Sequence, residues 1–153
     1  MVHSKTKLWS IDYIYTLTVG LIVNIPNIIL MTILPLFVLS IGGTNSIAGL
    51  LTTVLTMSAL IFRPFFGKIL DNVGRRMVLV LGLCLLAVST IMHVLSTNII
   101  LLLVLRFFQG IGLSAYSTAL GTILSDVVPA PRISEGIGYF GVSQTISLAA
   151  GPP

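Results

Sequence analysis

From Tyr13 through Phe62 the chain carries no charged residue, and its apolar positions run in blocks instead of alternating with polar ones. Five blocks can be marked, at about 13–39, 47–66, 77–96, 99–125 and 137–153, the last still running at Pro153. Each is close to or above the about 20 residues that a helix needs to cross a bilayer. Barrel strands would alternate with period two, so unbroken runs of this length predict helices. The first block is too long for the apolar core of a signal peptide, and no small-residue cleavage site follows it. It is read as a membrane helix.

The connections between blocks are short: "IGGTNS", "TN" and "DVVPAPRISEG" follow the first, third and fourth. If the helices alternate in direction, Lys5, Lys7, Lys68, Arg75, Arg76 and Arg132 all fall on one side of the membrane. The positive-inside rule makes that side the cytoplasm, with the N-terminus inside and the first short loop outside. The expected location is the cell membrane, with the chain crossing it several times.

Composition agrees with this picture. Hydrophobic residues make up 56% of the 153, charged residues 8%, and the mean hydropathy is +1.10, against about 25% charged residues in soluble domains. The net charge of +4 reads as a topology signal, because these residues form no basic stripe on a soluble face. No nucleic-acid partner is expected. Cys84 is the single cysteine, mid-helix, and is read as packing. No metal-ligand cluster, phosphate-cradling loop or nucleophile beside a base stands out. The reading is therefore no enzyme, no cofactor and no metal.

From the end of the second block to the start of the third the charges crowd together, at Arg63, Lys68, Asp71, Arg75 and Arg76. Gly67 and Gly74 bracket the stretch, where a tight reversal needs backbone freedom. Asp71 and Arg75 are four apart, the spacing that pairs charges on one helical face. The order "GKILDNVGRR" resembles the loop signature of the major facilitator superfamily between its second and third helices, through Gly67, Asp71, Gly74, Arg75 and Arg76. Ile69 stands in for the signature's leucine, and Asn72 for its basic residue. The resemblance implies a latch between the two halves of a transporter, in which Asp71 works with Arg75 and with an acid at the end of helix four, here Asp126.

Two further stretches carry the same resemblance. "RFFQGIGLSA" is similar to the family's helix-four signature through Arg106, Gln109, Gly110, Gly112 and Ala115. "SLAAGPP" resembles the start of the Gly-Pro signature of helix five, associated with antiporters and exporters, through Gly151 and Pro152. Physical argument supports the first of these independently. Arg106 lies eight residues past Asn98, about 12 Å along a helix. A charge at such depth costs about 2.5–3.5 kcal/mol on insertion scales, so it should face a polar interior. Gln109, Gly110, Leu113 and Ser117 follow on the same face. Gly110, Gly112, Ser114, Ala115, Ala119 and Gly121 form a small-residue seam suited to close helix packing.

Helix one carries Asn24 and Asn27 on one face, beside Pro26 and before Pro35. Proline frees backbone groups and kinks a helix. The asparagines then either line a substrate path or bond to another helix. His93 is read as an interfacial packing residue, with a proton site as the alternative. No carboxylate lies deep in these helices. If transport is proton-driven, the carrier is expected beyond Pro153, with Asp12 and His93 as lesser candidates and Arg106 responding to it.

The expected fold is an all-α membrane protein, the N-terminal part of a twelve-helix major facilitator fold, with four complete helices and most of a fifth. The missing C-terminal helices would be its partner within the same transporter. The resemblance implies alternating access, most simply proton-coupled efflux of drug-like or amphipathic small molecules. An importer of sugars or metabolites is the alternative within the class. A non-transporting membrane scaffold or truncated remnant is the alternative outside it.

Overall fold

The computed structural model describes residues 8–149, and these are helical apart from short connections. Helix α1 spans Ile11–Ser40, α2 Asn45–Val73, α3 Arg75–Leu95 and α4 Ile99–Val127. A short 3-10 turn, Ala130–Arg132, leads into α5, Ile133–Ala149. No strand occurs among the described residues. The first four helices are each long and apolar enough to cross a membrane.

The helix starts are capped by local chemistry. Ser10 Oγ accepts the Tyr13 N–H at 3.2 Å, Thr44 Oγ1 the Ile47 N–H at 3.4 Å and Asn98 Oδ1 the Ile100 N–H at 2.9 Å. Each satisfies one of the amide donors that a helix N-terminus leaves without a partner. The α1–α2 turn passes through Gly42 at φ 87°, a left-handed conformation that suits glycine.

The helices run beyond the apolar blocks at their charged ends. Residues 67–73 continue α2 and are not loop, and α5 begins at Ile133, four residues before the apolar block at 137. A 29-residue helix is about 43 Å long, whereas the hydrocarbon core is about 30 Å thick. Hydropathy therefore marks where lipid ends, and the backbone stays helical into the polar zone. The whole reversal between α2 and α3 falls on Gly74 at φ 95°. Gly67 is helical and its Cβ position faces open space, so the turn does not rest on it.

Helix α4 is the centre of the bundle. Half of its apolar span is buried, against 11% for α1. Its small residues set the approach of both neighbours. A Cβ on Gly110 would collide with Ser58 Oγ and Leu55 O of α2, and one on Gly82 of α3 would stand 2.6 Å from the Tyr116 amide nitrogen of α4. Close packing between membrane helices relies on such small contacts because lipid supplies no hydrophobic drive for association. Among the described residues small apolar clusters tie the helices, one of them Leu34, Val38, Leu51 and Leu102. Helix α5 lies along α1, fixed by the Tyr13 hydroxyl, which donates to Gly136 O at 2.9 Å. Ile22, Val80 and Ile100 remain exposed, which suits a surface facing lipid acyl chains.

Candidate functional site

Arg106 is 2% exposed and Gln109 is 0% exposed on the inward face of α4. One helical turn separates them, and Arg106 Nη1 donates to Gln109 Oε1 at 3.0 Å. Arg106 Nη2 donates to Leu30 O of α1 at 3.0 Å. Gln109 Nε2 in turn donates to Asn27 Oδ1 at 3.1 Å, and Asn27 Nδ2 to Val23 O at 3.0 Å. A continuous polar chain thus joins α4 to α1 inside two apolar helices. The Arg106 Nε has no partner among the described residues.

Helix α1 takes part through the Asn27 side chain and the Leu30 carbonyl, close to two prolines that free other carbonyls, those of Ile22 and Met31. Pro26 and Pro35 both lie inside the helix. Each lacks an N–H and crowds the carbonyl four residues back, which loosens the ladder around it. Leu30 stands between them, and its carbonyl can accept from a side chain as well as from the backbone. Asn24 and Asn27 divide their tasks. Asn27 makes the bond to α4, whereas Asn24 bonds Gly20 O at 2.7 Å within α1 and lines a separate pocket.

That pocket, about 370 Å³, opens between α1, α2, α4 and α5. Asn24, Ser114, Ser117 and Gln144 supply polar lining, Leu60 and Leu113 apolar lining, and Arg63 a positive charge. Arg63 Nη2 points to Ser117 Oγ at 3.5 Å. Ser114 is 1% exposed and its hydroxyl has no partner among the described residues. Sequence reasoning grouped Arg63 with the loop charges. The signal that would have found it is the position of Gly74: a helix running to Val73 puts Arg63 ten residues inside.

At the charged end of the bundle, Arg75 forms an ion pair with Asp126, both side chains about half exposed. The pair spans the start of α3 and the last turn of α4. The spacing of Asp71 and Arg75 does not make an intrahelical pair, because Gly74 ends α2 between them and breaks the i, i+4 geometry. Among the described residues Asp71 makes no ion pair. Arg75 and Arg76 line a cavity of about 530 Å³ together with Asp12. Arg132 and Glu135 form a two-pronged pair at 2.8 and 2.7 Å.

His93 is 3% exposed near the opposite end of α3, where its Nδ1 donates to Ser89 O at 2.6 Å. Its Nε2 has no partner among the described residues, and it shares a small pocket with Leu30. Gly151 and Pro152 lie outside the described residues. No group of three or more metal-ligating side chains occurs among the described residues.

Four apolar helices of spanning length, packed through glycines and crossed by a buried arginine network, define a multi-pass membrane protein with a polar interior. The pattern of the Major Facilitator Superfamily matches residues 16–153, and the chain belongs to that family of transporters. It is 26% identical to the quinolone resistance protein NorA of Staphylococcus aureus (strain MRSA252) over 124 residues, 81% of this chain and 32% of that protein. It is 30% identical to the staphylopine export protein of Staphylococcus aureus (strain Mu50 / ATCC 700699) over 144 residues, 94% of this chain and 36% of that protein. The chain thus spans about a third of the length of these curated relatives.

Proposed function

We propose that the chain forms part of a secondary exporter that moves small amphipathic molecules out of the cell by alternating access, coupled to protons. The observation that carries this reading is the polar chain from Leu30 O through Arg106 and Gln109 to Asn27. A buried charge in a membrane helix is expensive and marks a working site, and here it joins α4 to α1, which carries two prolines within its length. Broken or loosened helices at such depth line the moving interface in transporters. The names of the relatives, a quinolone resistance protein and an export protein, point outward as the direction of transport.

In this scheme the N-terminus and the Arg75–Asp126 end face the cytoplasm, as the charge asymmetry directs. Gly74 lets α3 leave α2 at a sharp angle, and Arg75 then reaches Asp126 to latch one conformation. Arg106 holds a fixed positive charge, since arginine stays protonated in proteins. It would favour the ionised form of a carboxylate brought beside it. The proton carrier itself is assigned to helices beyond this chain, with Asp12 and His93 as the local candidates.

The test is transport by the full transporter in proteoliposomes with an imposed pH gradient, read with a fluorescent quinolone. The expected result is gradient-dependent movement that stops when the gradient is collapsed by a protonophore. Movement that ignores the gradient would remove proton coupling, and no movement of any amphipathic compound would remove the export reading.

A further inference from the structure

Arg63 and Ser117 stand at one depth. Arg63 precedes Val73, the end of α2, by ten residues, and Ser117 precedes Val127, the end of α4, by ten. Ten residues are about 15 Å. A helix about 43 Å long that is centred on a core about 30 Å thick extends about 7 Å past each face. Arg63 then sits about 8 Å inside the apolar layer. Its guanidinium does not turn back toward the charged end. It reaches sideways across the pocket to Ser117 Oγ.

Among the described residues no acid pairs with this charge. The chain has four acidic residues. Asp126 is held by Arg75 and Glu135 by Arg132. Asp71 is eight residues further along α2, about 12 Å away along the axis, and Asp12 is the second residue of α1 at the charged end. The Ser114 hydroxyl, buried in the pocket wall, is also unspent. An arginine offers a planar fork matched to a carboxylate or a similar oxyanion. Beside it lie Leu60, Leu113 and Ala59, which suit an apolar body.

We propose that this pocket is a binding subsite for an amphipathic acid, with Arg63 and Ser117 taking the anionic group and the α2–α4 apolar wall taking the hydrophobic body. The inference rests on the export reading and narrows its substrates to molecules bearing an acidic group. It also sets a selectivity: the uncompensated charge repels lipophilic cations of the same size.

The purified full transporter can be titrated with pyrenebutanoic acid and with its methyl ester, following pyrene fluorescence. A charge-assisted hydrogen bond gives an expected preference for the acid of about tenfold in the wild type. Arg63→Gln should abolish that preference while binding the ester unchanged, and Arg63→Lys should retain part of it. Ser117→Ala should weaken acid binding without touching the ester. Equal affinity for acid and ester in the wild type would overturn the proposal, as would no binding of either. A preference that survives in Arg63→Gln would overturn it too, and would point to another basic group of the transporter as the one that holds the anion. Proteoliposome transport of the same two compounds separates the two readings. Acid-selective binding with no gradient-driven movement of either compound leaves the subsite standing and sinks export. Transport of both compounds alike, by wild type and Arg63→Gln, leaves export standing and sinks the subsite.

Discussion

Replacing Gln109 with leucine measures what the polar chain between α4 and α1 contributes. Gln109 is 0% exposed, accepts from Arg106 at 3.0 Å and donates to Asn27 at 3.1 Å. Leucine fills a similar volume and removes both bonds. Arg106 would keep Leu30 O as its remaining partner while its Nε already has none among the described residues. Interhelical hydrogen bonds in membrane bundles average about 0.6 kcal/mol and reach about 1.7, and a bond to a charged group contributes about 1.5–3 kcal/mol. Losing one of each should cost about 2–4 kcal/mol. Gln109→Glu provides the contrast. It keeps an acceptor beside Arg106 and forfeits the donor to Asn27, so its loss should stay within about 1 kcal/mol. The assay is equilibrium unfolding of the purified transporter in mixed micelles titrated with SDS, followed by circular dichroism. A Gln109→Leu variant as stable as the wild type to within about 0.5 kcal/mol would refute the argument that these bonds hold Arg106 in place.

Three shorter predictions concern the rest of the bundle. The Arg75–Asp126 pair is about half exposed, so Asp126→Asn should change stability by less than about 1 kcal/mol yet lower transport at least severalfold; unchanged transport would reduce the pair to a surface contact. Gly110→Leu should separate α2 from α4, because the added side chain meets Ser58 and the Leu55 carbonyl, and it should cost far more protein in the membrane than Gly121→Leu, whose Cβ position faces open space. Single cysteines at Asn45 and Asn72 in a Cys84→Ala background should react with an impermeant thiol reagent from opposite sides of the membrane, and labelling from one side would contradict the topology.

Much of this architecture was legible because lipid imposes a simple code. Long uncharged blocks marked the helices. The ends of the helices were not legible. Residues 67–73 are polar enough to leave the hydrocarbon but contain nothing that stops a helix before Gly74, so the loop was drawn seven residues too early. Arg63 lies within the second apolar block yet reads as the first of the loop charges, because nothing in its spacing shows that its side chain meets Ser117 of α4. The partner of Arg75 shows a second limit. Spacing suggested Asp71, but spacing counts only within one helix, and the left-handed Gly74 lies between the two. Asp126, reached through the family resemblance, is where the side chain goes. The cluster of Arg106, Gln109 and Gly110 was visible as one face of α4. Its link to Asn27 was not, since nothing in a single helix's periodicity says which neighbour an amide will meet.

In the proposed exporter Arg106 works in coupling and is not only a structural tie. The most direct measurement is substrate-driven proton flux in proteoliposomes of the full transporter, comparing wild type with Arg106→Ala at equal protein level in the membrane. Flux should fall to background in Arg106→Ala and be partly kept in Arg106→Lys, where the charge survives without the planar fork. Undiminished flux in Arg106→Ala would contradict that role.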